Sequence, residues 1–289
     1  MYVYLLPQGG FNDILCVIER TLEYCKKYKR TLLLDTVNSV YNINFSEYFN
    51  FNFNLENNDD NVNIITDINE IIKIVKENNS TSFYPKCINT NIMLNILNGK
   101  TKFTFCKNQI IYKYNNQSLS LLNENINETI IIYSFCGGGN GYNLFKNLSF
   151  NLNIKEKCKE RYEKILKPYL SIQVRNTDYK CDYIKLYNEN KDLIHSNLYN
   201  SVYIATDDEN VIKFFKSNNL GLNIFNFTTF NSNKKVNNLH YNTSINGNTK
   251  IIDLMSDIYI IAMSDKLLSN SQGGFIELVR NCYNNKNTF

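Results

Sequence analysis

The chain has only two histidines, no tryptophan and no Cys-x-x-Cys spacing. His195 and His240 stand far apart and outside every motif described below, so each reads as a surface residue and no metal site is expected. The eight cysteines (Cys16, Cys25, Cys87, Cys106, Cys136, Cys158, Cys181 and Cys282) form no close pair. Cys16 and Cys25 fall within one predicted helix, which suits reduced thiols better than a disulfide framework. No signal-peptide pattern precedes the first strand, and no run of about 18 apolar residues could span a bilayer. The expectation is a soluble, cytoplasmic protein with no membrane span. The net charge is only +4, and no basic stripe is interleaved with aromatics. Lys26, Lys27, Lys29 and Arg30 do cluster, but they close a helix, where cations complement the dipole. Nucleic acid is therefore excluded as a partner. No internal repeat is visible.

Asparagine fills about one position in six, a bias of AT-rich genomes such as those of some viruses and protists. Triplets such as Asn44-Phe45-Ser46 and Asn147-Leu148-Ser149 then arise by chance. Asn58-Asp59-Asp60 reads as a solvated loop, not a metal site. With 43% hydrophobic residues, 21 Tyr and 18 Phe, there is ample material for a core. A length of 289 residues accommodates two domains of ordinary size.

The pattern of elements is that of an α/β protein. Tyr2 to Leu6 reads as a strand, Pro7-Gln8-Gly9-Gly10-Phe11-Asn12-Asp13 as a glycine-bearing turn, and Ile14 to about Tyr28 as a helix with apolar residues at helical spacing. Asn12 or Asp13 is expected to cap it, and Thr31 to Asp35 completes a βαβ unit. A short aromatic segment follows at Phe45 to Phe49, and Asp67 opens a helix to about Glu77. Phe103 to Cys106 and Gln109 to Tyr114 are expected as strands, and Thr129 to Phe135 as a buried strand ending in Cys136-Gly137-Gly138-Gly139-Asn140-Gly141. A domain boundary is placed near residue 150.

Beyond it, helix 154–166 precedes the strand Tyr169 to Val174, and the region 179–200 has no clear pattern. Val202 to Ala205 is a strand, 209–217 a helix, and Leu222 to Phe227 a strand. Residues 228–248 form an asparagine-rich loop, longer than compact domains usually carry without a purpose. A helix from Lys250 to Met263, a strand from Lys266 to Ser269 and a helix from Phe275 close the chain. This alternation predicts a parallel, doubly wound sheet.

Three strands of the second half end in polar residues: Arg175-Asn176-Thr177-Asp178, Thr206-Asp207-Asp208 and Asn270-Ser271-Gln272-Gly273-Gly274. Parallel strands present their carboxyl ends on one side of a sheet, where ligands bind. Arginine offers a fixed fork for phosphate oxygens. The third group also sits at a helix amino terminus, whose N–H groups favour an anion. Each turn alone has an ordinary structural explanation; together they point to a site for a nucleoside diphosphate.

These residues resemble the fucosyltransferase superfamily, which comprises the α1,2-, α1,6- and protein O-fucosyltransferases. Gly9-Gly10-Phe11-Asn12 with its helix and strand looks like the family's amino-terminal glycine loop. Gln173-Val174-Arg175-Asn176-Thr177-Asp178 looks like its H-x-R-R-x-D segment, Val202 to Asp208 like its strand ending in T-D-D, and Asp253 to Phe275 like its carboxyl-terminal motif. The resemblance implies a GT-B fold, two Rossmann-like domains facing across a cleft. Residues 1–150 would form the acceptor side and 151–289 the nucleotide-sugar side. It implies a metal-independent transferase whose donor is GDP-fucose and whose acceptor is a glycan or protein hydroxyl.

By the same resemblance Arg175 would bind the β-phosphate, and Asp207 or Asp208 the base. Ser271, Gln272 and Gly273 would hold the diphosphate, with Gly9, Gly10, Phe11 and Asn12 contributing from the other domain. Asn176 replaces the second arginine and Gln173 the histidine that contacts the base in some members, so the identity of the nucleotide stays open. Asp178 and Asp182 are the candidates to take the acceptor's proton, in a single inverting displacement. Acceptor pockets would be shaped by the amino-terminal domain and the loops 80–128 and 228–248. Two alternatives remain: a GT-B enzyme using another nucleotide sugar, or an inactive carbohydrate-binding protein of this fold.

Overall fold

Val3, Tyr4 and Leu5 have no solvent exposure, and neither do Leu32, Leu33 and Leu34 or Ile130 and Ile131. Runs of this kind, apolar on both faces, are what a covered parallel sheet requires. In a computed structural model that describes residues 1–52, 62–77, 82–86, 88–100, 124–177, 179–218, 221–230 and 239–288, they build the first of two units, Met1–Leu148 and Ser149–Phe289. The strands expected at Phe103 to Cys106 and Gln109 to Tyr114 lie outside the described residues, as do Asn58-Asp59-Asp60 and Asp178.

The first unit contains β1 (Tyr2–Leu5), α1 (Phe11–Lys27), β2 (Thr31–Leu34), a 3-10 turn at Phe45–Glu47, β3 (Phe49–Phe51), β4 (Ile64–Ile65), α2 (Ile68–Glu77), β5 (Phe83–Tyr84), α3 (Thr90–Leu97), β6 (Ile130–Tyr133) and the short α4 (Tyr142–Phe145). A strand β7 (Leu148–Phe150) spans the boundary between the units. The principal sheet has the order β4-β2-β1-β6-β5, and all four of its pairings are parallel. One face is covered by α2 and α3, whose Ile71, Val75, Met93 and Ile96 pack with Tyr4, Leu33 and Ile132. α1 covers the other, against β1 and β2.

Two helix starts follow expectation in different ways. Asp67 Oδ1 accepts from the Asn69 and Glu70 amides at 2.8 and 2.9 Å, as its capping pattern predicts. α1 begins earlier than expected, with Gly10 before its first residue and the Gly10 N–H donating to Asp13 Oδ2 at 3.2 Å.

The second unit contains α5 (Leu152–Glu163), β8 (Tyr169–Val174), α6 (Tyr183–Glu189), α7 (Lys191–Ile194), β9 (Ser201–Thr206), α8 (Glu209–Ser217), β10 (Asn223–Phe225), a 3-10 turn at Leu239–Tyr241, α9 (Gly247–Met263), β11 (Lys266–Leu268), α10 (Gly274–Asn284) and a last 3-10 turn. The sheet order is β10-β9-β8-β11, again parallel. Every residue of β8 and β9 is buried. Alternation divides them between two layers. Leu170, Ile172 and Val174 pack with Leu186, Tyr187, Val211 and Phe215 of α6 and α8, while the Tyr169 hydroxyl donates to Ile260 O of α9 on the other face. The sheet is thus doubly wound. The region without a clear pattern at 179–200 proves to hold α6 and α7.

The layer between α5, α9 and β9 carries buried charge. Arg161 donates to Asp253 Oδ1 at 2.7 Å and to the Ser256 hydroxyl at 3.1 Å, and Asp253 Oδ2 accepts from the Thr229 amide at 2.7 Å. One turn further on, Asp257 accepts from the Tyr203 hydroxyl and, at 3.5 Å, from Thr228. Burial pushes the Asp257 carboxyl up from 3.8 to about 7, and the neighbouring Asp253 charge adds to it; the Tyr203 hydroxyl and Arg161 pull the other way.

The raised value has a definite sign in stability. Between pH 3.8 and about 7 the unfolded chain releases this proton while the folded chain keeps it, so stability falls as pH rises through that window. Asp257→Asn keeps an acceptor for Tyr203 and removes the titration. Urea midpoints are expected to fall less steeply over that pH range in the variant than in the native chain, with the variant the more stable near neutrality.

Candidate functional site

β8 lies between β9 and β11. The chain moves from β8 to β9 and β10 on one side, then returns through α9 to place β11 on the other. The order therefore reverses between β8 and β11, the kind of place at which α/β sheets bind ligands.

The turns after β8 and β11 are joined by hydrogen bonds. The Arg175 N–H donates to Ser271 Oγ at 3.0 Å, the Ser269 hydroxyl to Gln173 Oε1 at 2.8 Å, and the exposed Tyr179 hydroxyl to Gln272 Oε1 at 3.0 Å. Arg280, from the second turn of α10, reaches back to the carbonyls of Ser269 and Ser271 at 3.5 and 3.4 Å while pairing with Glu277 at 2.6 Å. On the β9 side, Asp207 Oδ1 accepts from the Asn176 amide at 2.7 Å and Asp207 Oδ2 from the Thr177 hydroxyl at 2.6 Å. Asp208 Oδ2 accepts from Asn176 Nδ2 at 2.8 Å, and its Oδ1 caps α8 through the Asn210 amide at 2.9 Å.

The three polar strand ends thus converge, but most of their side chains bind one another. Asp207 has both carboxylate oxygens engaged, and Asp208 is divided between Asn176 and a helix cap, so both hold the loop after β8. Burial pushes the Asp207 carboxyl up; the Thr177 hydroxyl, the Asn176 amide and the Arg175 charge pull it down by less.

Gln173 is 4% exposed and its Oε1 accepts from the Ser269 hydroxyl, so its side chain braces β8 against the turn after β11. Ser271 is 2% exposed, and its oxygen accepts from Arg175 and, at 3.3 Å, from the Cys181 thiol; it positions the Arg175 backbone. Asp182 caps α6, its Oδ1 accepting from the Lys185 amide at 2.9 Å.

Arg175 is half-buried, and its charge is felt at Asp207. Gln272 and Gly273 are exposed, and Gly273 precedes α10 with φ of 100° and no side-chain cap. That φ lies in the region only glycine enters without strain, and the uncapped first turn of an 11-residue helix offers N–H groups to an anion.

In the first unit, the glycine turn is built for closeness. Gly9 has φ of 91°, and a β-carbon there would stand 2.6 Å from Cys136 Sγ and 2.9 Å from Asp13 Oδ2. The Gly10 N–H is taken by Asp13. Phe11 is 3% exposed in a cluster with Tyr41, Phe49 and Phe145. Asn12, also 3% exposed, donates to Gly139 O at 3.0 Å and accepts from the Gly141 N–H at 2.9 Å, so it staples the loop after β6 to α1. The side chains of Phe11 and Asn12 thus pack and bond within the first unit. Sequence reasoning missed Ser269, Tyr179 and Arg280; their spacing carries no pattern that marks them as partners of the turns after β8 and β11.

No family model matches the chain, and no curated protein matches it in sequence. Solved structures do. A NodZ α-1,6-fucosyltransferase soaked with GDP-fucose aligns over 96% of this chain and 91% of its own, at 15% identity and a TM-score of 0.57. NodZ from Bradyrhizobium aligns over 96% and 92%, at 15% identity and a TM-score of 0.55. POFUT1 in complex with GDP-fucose aligns over 97% and 93%, at 13% identity and a TM-score of 0.51. The resemblance read from the strand-end motifs is borne out as a likeness of fold that extends over nearly the whole chain. At so low an identity it is a distant one, and on it this chain has the fold of the fucosyltransferases NodZ and POFUT1.

Proposed function

We propose that this chain is a glycosyltransferase that binds a nucleoside-diphosphate sugar in the crevice between the ends of β8 and β11. In its most concrete form the reading is an inverting fucosyltransferase acting from GDP-fucose on a glycan or protein hydroxyl. The observation that carries it is the tie between Arg175 and Ser271 across the switch point, beside the uncapped start of α10. Structures of the same fold contain GDP-fucose or GDP, which supports the same donor class. The GT-B arrangement, with residues 1–150 on the acceptor side and 151–289 on the donor side, belongs to this reading.

As the bond from the sugar's C1 to the β-phosphate oxygen breaks, the electron pair stays on the diphosphate. Arg175 and the N–H groups at Gly273 and Gly274 stabilise that growing charge without reorganising, because the turn carrying them is already braced. The acceptor hydroxyl attacks from the opposite face, which inverts the anomeric centre, and a carboxylate takes its proton. Asp178 is the candidate for that role.

A second reading, the same chemistry with another nucleotide, is favoured by one observation: Gln173, at the position of the family's base-contacting histidine, is buried and used by Ser269. A reducing, cytoplasmic setting is part of the proposal, supported by the free and buried thiols of Cys16, Cys25, Cys158, Cys181 and Cys282. Among the described residues no helix is long and apolar enough to cross a membrane.

A thermal-shift panel of GDP, UDP and CMP and their sugars separates the readings. GDP is expected to stabilise the native chain; stabilisation by UDP or CMP alone would replace fucose transfer with the second reading, and by none would sink both. Arg175→Ala is expected to abolish the nucleotide shift and to lower kcat/KM for sugar transfer by about a hundredfold or more. EDTA is expected to leave the rate unchanged, and a rate restored only by added divalent metal would overturn metal independence.

A further inference from the structure

α5 brings four charged residues to one face. Lys157, Glu160 and Arg161 lie within the helix and Lys164 at its end, and the spacing i, i+3, i+4, i+7 puts them on one side. Together with Phe227 beyond β10, and Thr249 and Ile252 of α9, they line a cavity of about 370 Å³. No residue of the turns after β8 and β11 lines it, so it is separate from the proposed donor site. Its volume lies at the lower end of the ~300–1,000 Å³ usual for small-molecule sites.

The lining favours an anion with an apolar part. Three of the seven residues are cations and one is an anion. Thr249 stands in the first turn of α9, a 17-residue helix whose amino end adds positive potential. Phe227 and Ile252 supply the apolar surface. The Arg161 guanidinium lies 5.7 Å from the centre of the Phe227 ring, and its bonds to Asp253 and Ser256 fix it in the wall. Asp253 offsets its charge, so the excess falls to the two lysines.

Those lysines share one partner. Lys164 Nζ donates to Glu160 Oε1 at 2.8 Å and Lys157 Nζ to Glu160 Oε2 at 2.9 Å, with the lysine side chains 55% and 51% exposed. The two bonds, that from Lys164 first, hold the Glu160 carboxyl down at about 2, so it stays charged at any working pH. Exposed pairs of this kind contribute little to stability, and opening them costs little. Glu160 therefore sits between two ammonium groups as an incoming anion would. A carboxylate ligand would only exchange like for like. A phosphate ester brings nearly twice the charge and three acceptor oxygens, and so competes better for both lysines.

We infer that this cavity binds a small phosphate ester, its phosphate held by Lys157 and Lys164 in place of Glu160 and its organic part against Phe227 and Ile252. The site needs neither the sugar donor nor Arg175, and it stands independently of the glycosyltransferase reading.

Isothermal titration of the full chain at low ionic strength tests it, with glucose 6-phosphate, inorganic phosphate and glucose as probes. Glucose 6-phosphate is expected to bind, inorganic phosphate more weakly and glucose not at all. Lys157→Gln and Lys164→Gln are each expected to weaken the ester about fivefold, and Glu160→Gln to tighten it by a similar factor. Arg175→Ala is expected to leave the ester's affinity unchanged, as is Lys213→Gln, which removes a lysine paired in the same way with Glu209 on α8. Unchanged melting temperatures report that each variant is folded. Equal weakening by Lys213→Gln would reduce the effect to net charge and overturn the site. Loss of binding in Arg175→Ala would move the ester to the donor site, with the same result. No binding of the ester, equal affinity for inorganic phosphate, or indifference to Lys157→Gln, Lys164→Gln and Glu160→Gln would each overturn it as well. A chain that GDP does not stabilise, yet that binds the ester through these lysines, would sink the GDP-donor reading and leave this site standing.

Discussion

The hydrogen bond from the Arg175 amide to the Ser271 hydroxyl is the constraint on which the second unit's site depends. β11 is only three residues long, so strand pairing alone holds the turn after it weakly. Ser271, almost fully buried, couples that turn to the end of β8, while Ser269 grips Gln173 and Arg280 grips two carbonyls of the same turn. Buried polar groups are paired in folded proteins because an unpaired one is costly. These bonds therefore place Gly273 and the start of α10 relative to Arg175 before any ligand arrives, the kind of preorganisation that electrostatic catalysis requires.

A division of labour follows among the polar residues at the strand ends. Asp207 and Asp208 hold the loop after β8 by accepting from Asn176 and Thr177. On the proposed reading, recognition falls to Arg175 and to backbone amides. That suits an anion, because the carboxylates near it are already hydrogen-bonded. In the first unit the corresponding polar residue, Asn12, is turned inward to fasten a glycine-rich loop.

Much of this was legible from the order of residues, and the misses have physical causes. The βαβ opening, the strand at Tyr169–Val174 and the helix Glu209–Ser217 were readable because each satisfies its own periodicity or burial pattern. β4 and β5 are two residues long, too short to show a period. α6 and α7 are short helices broken at Asn190, and neither spans enough turns for an apolar stripe to declare itself. Asp182 illustrates a different ambiguity, since an aspartate that caps a helix and one that takes a proton look the same in a sequence.

The sequence by itself determined the alternation of strand and helix, the position of Arg175 at the end of a buried strand and the glycines that let backbone amides face outward, because these depend on residues close together in the chain. Only the tertiary structure decided which polar groups are left for a ligand. Gln173 meets Ser269, Arg175 meets Ser271 and Asn12 meets Gly139 across separations of 96, 96 and 127 residues. A hydrogen bond satisfied by so distant a partner leaves no trace in local pattern, yet it settles whether a side chain serves the fold or the site.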